Sequence, residues 1–462
     1  MHGDFSRLTF VPEKHYSSVL LQQGRVELDA DANEQSAVLL HYLRTLAADI
    51  IGPFGGPEGG AGFEIGLQLG QNGQQLVDLT IGRGRYYVAG ILVENEQPGS
   101  CYYHQPDAYF DDQCDPLPKT PFLVYLRVFE RLITAVEDPA IREVALGDNG
   151  PDTAARLKVV WQVVATDKIP GTDRPLGKEP DNGPGVDRDY ILDSCATWEQ
   201  KRQDQTGLLK ARGKQPASTA GNPCITSPEA RYRGAENQLY RVEVHTGGCA
   251  GTATFKWSRD NGSVTFPITK LSETEVFLAS LGRDSRLGLE AGDWVEIIDD
   301  RYVLSGSPEP LQRVKAVDPL DRRVELETAP TSATGQNPTL HPFLRRWDQR
   351  EPLPALSGPT LSKKDHALTI VEASDDVHWI DLEDGVQIQF QKGGTYMRDD
   401  YWLIPARTAT GSIEWPQANG KPTERRPDGV VYHLAPLALV KDGPLSKDLR
   451  CRFGRLACPP PP

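Results

Sequence analysis

The apolar positions of this chain recur in two rhythms. Near its start, Leu39, Leu43, Leu46 and Ile50 follow one another at the spacing of one helical face, with Arg44 and Asp49 off the stripe. Asp31 stands where an N-cap belongs and Glu34 follows three residues on, an Asp version of the capping box. Gly52-Pro53 stops the helix. Upstream, the pattern predicts a hairpin: a strand from Tyr16, a tight turn at Gln22-Gln23-Gly24 and a second strand over Arg25–Leu28. A hairpin feeding one amphipathic helix has to bury that stripe, either on a later part of this chain or on another protein.

After the glycine-rich stretch 52–62 the rhythm shortens to strands, expected over Phe63–Leu69, Gln75–Ile81, Tyr86–Glu94, Pro121–Arg131 and Leu157–Thr166. Gly82-Arg83-Gly84 is read as the opening of a hairpin, and a short helix is expected near Asp152–Arg156. Lys168–Pro216 is polar and rich in Pro and Gly, so it reads as an insertion or exposed loop, with helix at Ser194–Asp204. Ala217–Arg233 reads as irregular. Strands resume at Gln238–His245, Ala253–Ser258 and, after an Asn261-Gly262 hairpin turn, Ser263–Thr269. Glu275–Leu278, Trp294–Asp299, Leu311–Val317 and Arg323–Glu327 follow closely, suggesting a small barrel of about five strands. Gln336–Asp365 reads as loop. A last β unit holds His378–Leu382, Gly385–Phe390, Tyr401–Ile404, Ile413–Trp415 and Val430–Val440, before a tail ending in prolines.

The expected fold class is therefore mainly β and multidomain: several small antiparallel β domains or barrels with one N-terminal amphipathic helix. The expected division is 1–55 as hairpin and helix, 56–170 as a β domain and 171–235 as a long loop. A β domain with the barrel follows over 236–350, then the C-terminal unit over 351–462. A length of 462 residues exceeds one ordinary core, and the 43 Gly and 37 Pro lie between apolar runs, as many short strands joined by turns require.

A net charge of −14 argues against a nucleic-acid partner, since phosphate neutralisation needs a basic face. With no apolar run of about 18 residues and no apolar core after Met1 to suggest export, no membrane span and cytoplasmic synthesis are expected. Cys101, Cys114, Cys195, Cys224, Cys249, Cys451 and Cys458 form no Cys-x-x-Cys pair. Free thiols and no zinc site are expected, with Cys101/Cys114 and Cys451/Cys458 the pairs that could bridge under oxidation.

Catalytic patterns are no stronger. Asp29-Ala30-Asp31-Ala32-Asn33 opens like a calcium loop, but Glu34 and Leu40 stand where Gly and Glu are needed. The acids suit the positive end of a helix dipole instead. Trp257–Ser263 reads as a hairpin tip or as a sugar site, and Ser258 lacks a GxSxG context. His245, His341, His378 and His433 are isolated. The acid pairs Asp299-Asp300, Asp375-Asp376 and Asp399-Asp400 sit at strand ends, where solvated carboxylates are ordinary. No enzymatic residue, cofactor or metal is expected.

The string MHGDFSRLTFVPEKHYSSVLLQQGRVELDADANEQ resembles the start of an uncharacterised bacterial family. That family shows Gly-Asp-Phe, Phe-x-Pro, Lys-His-Tyr and Gln-Gln-Gly-Arg-Val-x-Leu-Asp-Ala-Asp-x-Asn-Glu-Gln, here at Gly3–Phe5, Phe10, Pro12, Lys14–Tyr16, Gln22–Val26, Leu28–Asp31 and Asn33–Gln35. Ala32 departs from it, standing where an aromatic is common. Tyr232–Thr265, Leu289–Asp300 and Gly393–Arg407 resemble the same family. Its genes lie in or near clusters for phage-tail-like contractile injection systems. The resemblance implies a non-enzymatic structural role: a baseplate-associated, baseplate-extending or fibre-adaptor protein. It also implies neighbouring particle proteins as partners and, by analogy with ring symmetry, roughly three or six copies. Leu39, Leu43, Leu46 and Ile50 are then the candidate anchor face, and Lys168–Pro216 a second candidate interface. The finished particle could be free, membrane-docked or released by lysis. The competing reading is a β-rich carbohydrate-binding or glycan-hydrolysing effector.

Overall fold

The computed structural model describes residues 1–70, 75–147, 151–172, 174–176, 187–214, 231–282, 284–306, 308–350, 359–375, 377–441 and 446–455. The fold is mainly β, with several small antiparallel sheets, a closed barrel and, among the described residues, three α-helices: α1 (Asp29–Ile51), α2 (Arg188–Gln205) and α3 (Asp300–Ser305). The chain forms two units from interleaved segments. The arm unit takes residues 9–131, 157–204 and 431–462; the barrel unit takes residues 1–8, 132–156 and 205–430.

In the arm unit, one sheet runs in the order Arg452–Phe453, Phe54–Pro57, Gly84–Val88, Ile91–Asn95, and a second in the order Ser446–Asp448, His433–Val440, Phe122–Ile133, Arg156–Thr166. Ile65–Leu69 and Leu76–Ile81 form a separate pair. Phe122–Ile133 is a near-continuous apolar run because much of it is covered on both faces: Phe122, Val124 and Leu126 enter the main core, while Leu123 joins a smaller one with Ile191 and Leu449. Phe63 meets Trp161 edge-on in the main core, ring centres 5.1 Å apart. Helix α2 contributes Cys195, Leu192 and Trp198.

In the barrel unit, one sheet runs Leu368–Thr369, Thr254–Ser258, Gln238–Thr246, Tyr401–Arg407, Ser412–Ile413. The closed barrel runs Thr265–Ser272, Glu275–Leu278, Arg323–Leu326, Gln312–Asp318, Trp294–Ile298, Phe343–Trp347. Leu209–Gly213 pairs with Val386–Phe390 along its full length.

Several expectations are corrected here. Residues 15–28 keep the turn, with Arg25 N–H donating to Gln22 O (3.2 Å) and Gly24 at φ 70°, but form no strand ladder. Helix α1 itself holds this segment, Val19 N–H donating to the Gln35 side chain at 2.7 Å. Tyr86–Glu94 is two strands turning at Ala89-Gly90, and Gly82–Gly84 carries the chain to a different sheet instead of closing a hairpin. Asn261-Gly262, both at positive φ, likewise passes the chain from a sheet strand to a barrel strand. No helix forms over 152–156. The barrel has six strands because Phe343–Trp347, placed in a loop by its prolines, closes it.

Lys168–Pro216 is not a plain loop: α2 and Leu209–Gly213 lie within it, with Ile191, Cys195, Leu209 and Ala211 buried. The consecutive domain order also gives way. His433–Val440, at the C-terminal end, pairs with Phe122–Ile133, and Tyr401–Arg407 pairs with Gln238–Thr246. Residues 177–186, 217–230 and the proline tail lie outside the described residues, as do Cys224, Asp376 and Cys458. The described cysteines Cys101, Cys114, Cys195, Cys249 and Cys451 are free thiols.

Candidate functional site

Helix α1 faces its own unit with small and polar residues, not with its leucine stripe. Ala30 and Val38 are buried, His41 packs its ring on Phe10 (5.6 Å), and Arg44 makes a two-pronged ion pair with Glu130 (2.8 and 2.6 Å). Gly90 lets the helix backbone come close. It sits at φ 76°, and a Cβ there would lie 2.1 Å from Arg44 O. A groove of about 460 Å³ runs along this contact, lined by Phe10, Leu40, His41, Arg44 and Ala89 among others.

Leu39, Leu43, Leu46 and Ile50 lie on the opposite side. At about 100° per residue they centre roughly half a turn from Ala30, Ala37, His41 and Ala48. All four are exposed, Leu43 at 57 %. The arm before the helix adds Tyr16, Leu20, Leu21, Val26 and Leu28, with Leu20 and Val26 each 82 % exposed. An apolar surface made of one helix stripe and its adjoining arm is the kind that protein contacts cover.

The expected cap is placed differently. The helix begins at Asp29, its N-cap is Leu28, and no side chain caps it. Asp29 and Asp31 fall in the first turn, where carboxylates meet the positive end of the dipole. Glu34 accepts from the Thr9 hydroxyl instead of closing a capping box.

A second concentration of chemistry lies inside the barrel unit. Gln238–Thr246 alternates, sending Tyr240, Val242 and Val244 into an apolar core while Arg241, Glu243 and His245 share the other face. All three are 1 % exposed or less. Glu243 is bound by Arg241, by His2 (2.6 Å) and by Lys256 (3.2 Å). Lys256 also reaches both oxygens of Glu296 (2.7 and 2.8 Å), which accepts from Tyr302 Oη (2.6 Å) and Trp347 Nε1 (2.8 Å). Burial pushes both glutamates up, but the surrounding cations, Arg241 foremost at Glu243 and Lys256 at Glu296, hold them well below the carboxylate range. Burial, with Lys256 adding to it, lowers His245 to about 4. Neutral His245 donates from Nε2 to Glu309 O at 2.8 Å.

The remaining candidates are also internally engaged. Trp257 is buried, and beside it Arg259 reaches Glu383 (2.9 Å) and Asp348 (3.4 Å). Burial raises Glu383 to about 7 and Asp260 to about 6. Asp299 and Asp400 are buried, contrary to the expectation of solvated acids. Asp299 caps α3 through Tyr302 N (2.9 Å), and Asp400 accepts from Thr206 (3.2 Å). His341 pairs with Asp300 (2.8 Å) and His378 with Asp375 (2.7 Å). The sequence reading missed one grouping, Asp78 with Cys101 and His104, because its members come from a strand and a separate turn.

A model for a family of unknown function, DUF6519, matches residues 1–175 and 197–459. The chain belongs to this family. No curated protein and no solved structure matches it. Both the exposed α1 stripe and the buried charge network of this DUF6519 chain fall within the matched residues. No helix among the described residues is long and apolar enough to cross a membrane.

Proposed function

We propose that this chain is a non-enzymatic structural component of a phage-tail-like contractile injection system, a baseplate-associated or baseplate-extending protein or a fibre adaptor. The particle context comes from the resemblance of the N-terminal signature. The observation that carries the docking role is the exposed stripe Leu39, Leu43, Leu46 and Ile50, set on a helix whose other face is fixed by Arg44–Glu130. An apolar face of a neighbouring particle subunit fits it, since burying exposed leucines yields about 1.5–3 kcal/mol each. The protein joins the particle in several copies after synthesis in the cytoplasm.

The test is light scattering of the purified chain together with its recovery from the host. Wild type should co-purify with sheath, tube and baseplate proteins, and Leu43→Asp should abolish this while leaving the thermal midpoint unchanged. A clean wild-type monomer recovered without particle proteins overturns the proposal, and glycan screening for the effector reading follows.

A further inference from the structure

Outside the α1 surface, the arm unit brings three different metal-binding side chains to one spot. Thr80, in Leu76–Ile81, pairs with Cys101, held by Ile81 N–H to Ser100 O (2.8 Å) and Tyr102 N–H to Leu79 O (2.9 Å). Asp78 lies two residues before Thr80, so its side chain shares the face of Thr80 and is the diagonal neighbour of Cys101. From Cys101 the chain turns at once: His104 N–H donates to Cys101 O at 3.1 Å, and Cys101 Sγ lies 3.3 Å from His104 Nδ1. Ligand atoms of Asp78, Cys101 and His104 all fall within 4.8 Å of one another.

The distances suit a small tetrahedral ion. Zinc bonds of about 2.3 Å to sulfur and about 2.0 Å to nitrogen set a tetrahedral S···N edge of roughly 3.5 Å, close to the separation seen here. The turn is braced before any ion arrives. Tyr102, between the ligands, is buried and stacked on Phe110 with ring centres 4.9 Å apart, and the Tyr103 hydroxyl accepts from Leu117 N–H at 3.1 Å. Asp78 Oδ1 accepts from Leu79 N–H (2.7 Å), which orients the carboxylate. His104 is exposed and the other two are half-buried, leaving the fourth coordination position to solvent.

We infer that Asp78, Cys101 and His104 bind one zinc-class divalent ion, with water as the fourth ligand. On binding, Cys101 coordinates as thiolate and its proton passes to solvent. A thiolate, an imidazole and one carboxylate select zinc or cobalt over magnesium or calcium, which require oxygen ligands.

The test uses the full-length chain, reduced, chelator-treated and titrated with Co²⁺ alone. One equivalent should bring up a thiolate-to-cobalt charge-transfer band that Zn²⁺ abolishes and Mg²⁺ does not. Cys101→Ser should lose the band, while Cys114→Ser and Cys249→Ser keep it. In the wild type, Zn²⁺ should slow alkylation of Cys101, mapped by mass spectrometry, and leave Cys114 unaffected; this readout requires no variant to fold. No charge-transfer band in the wild type, a band that survives Cys101→Ser, or unprotected Cys101 would each overturn the inference.

Discussion

Single residues of the barrel unit give its stability two opposing pH dependences. His245 binds a proton near pH 4 when folded and near about 6.5 when unfolded. Between those values the unfolded chain holds more protons, so this residue makes stability fall as pH drops through the window. Glu383 behaves oppositely. Its folded value of about 7 lies above the unfolded value of about 4.5, so its contribution falls as pH rises through that range. Asp260, which burial raises to about 6, acts in the same sense as Glu383, so from about pH 4.5 to 6 the two acids together outweigh His245. The double variant Glu383→Gln/Asp260→Asn should therefore unmask His245: in a midpoint-against-pH series stability should fall as pH rises through this window for wild type and rise with pH for the variant. A flat profile in the variant would refute this assignment. Lys256→Met tests the same network by another route. It strips the cation from two buried carboxylates, Glu243 and Glu296, and should cost about 3–5 kcal/mol in denaturant unfolding. The charged alternation Arg241, Glu243, His245 was present in the sequence, but a half-solvated strand shows the same alternation. That face is buried by the barrel strands Trp294–Ile298 and Phe343–Trp347, supplying Glu296 and Trp347, together with the N-terminal Met1 and His2 and the Glu309 carbonyl.

At the scale of elements, periodicity located α1 and its leucine stripe, but not the direction the stripe points. That depends on what the opposite face can approach, and here small residues and Gly90 permit a closer backbone contact than leucines would. Gly90→Ala places a Cβ against Arg44 O and strains a positive φ, so the helix must lift. The expected result is a loss of about 1–3 kcal/mol, seen as faster hydrogen exchange in α1 with the barrel-unit amides unchanged. Leu43→Asp, on the other face, should leave exchange as in wild type and act only on assembly. The pair separates support of the helix from its docking. Strands dense in Val, Ile and Leu were legible for the same reason as the stripe: burial demands the pattern. The strand Phe343–Trp347 was not, since it is short and contains two arginines. Arg346 is buried and donates to the backbone oxygens of Arg286 and Gly288, partners that no local pattern announces. The Asn-Gly turn was legible as a turn and misleading as a hairpin, because a turn fixes local direction while the next sheet decides the pairing.

At the scale of the whole molecule, the chain passes between its units after Leu8, Arg131, Arg156, Asp204 and Val430. Reading domains as consecutive stretches fails at those crossings, because strand pairing over hundreds of residues leaves no mark in composition. The consequence is physical. His433–Val440 lies between Ser446–Asp448 and Phe122–Ile133, and it buries Leu434, Leu437 and Val440 in the arm-unit core. Arg452–Phe453 adds an edge to Phe54–Pro57 in parallel register. A fragment ending at residue 350 keeps all of α1 and all six strands of the closed barrel but lacks these strands and, in the barrel unit, Val386–Phe390 and Tyr401–Arg407. Losing three large apolar side chains alone removes about 1.5–3 kcal/mol each, against a net stability of about 5–15 kcal/mol for a domain. The bared backbone of Phe122–Ile133 would also become an open edge. The 1–350 fragment is therefore expected to lack a cooperative thermal transition and to aggregate. Adding a separately expressed 351–462 segment during refolding should restore solubility and the transition. A soluble 1–350 fragment with slow hydrogen exchange in α1 and in Phe122–Ile133 would show that the arm unit closes without its C-terminal strands, contrary to the pairing described here.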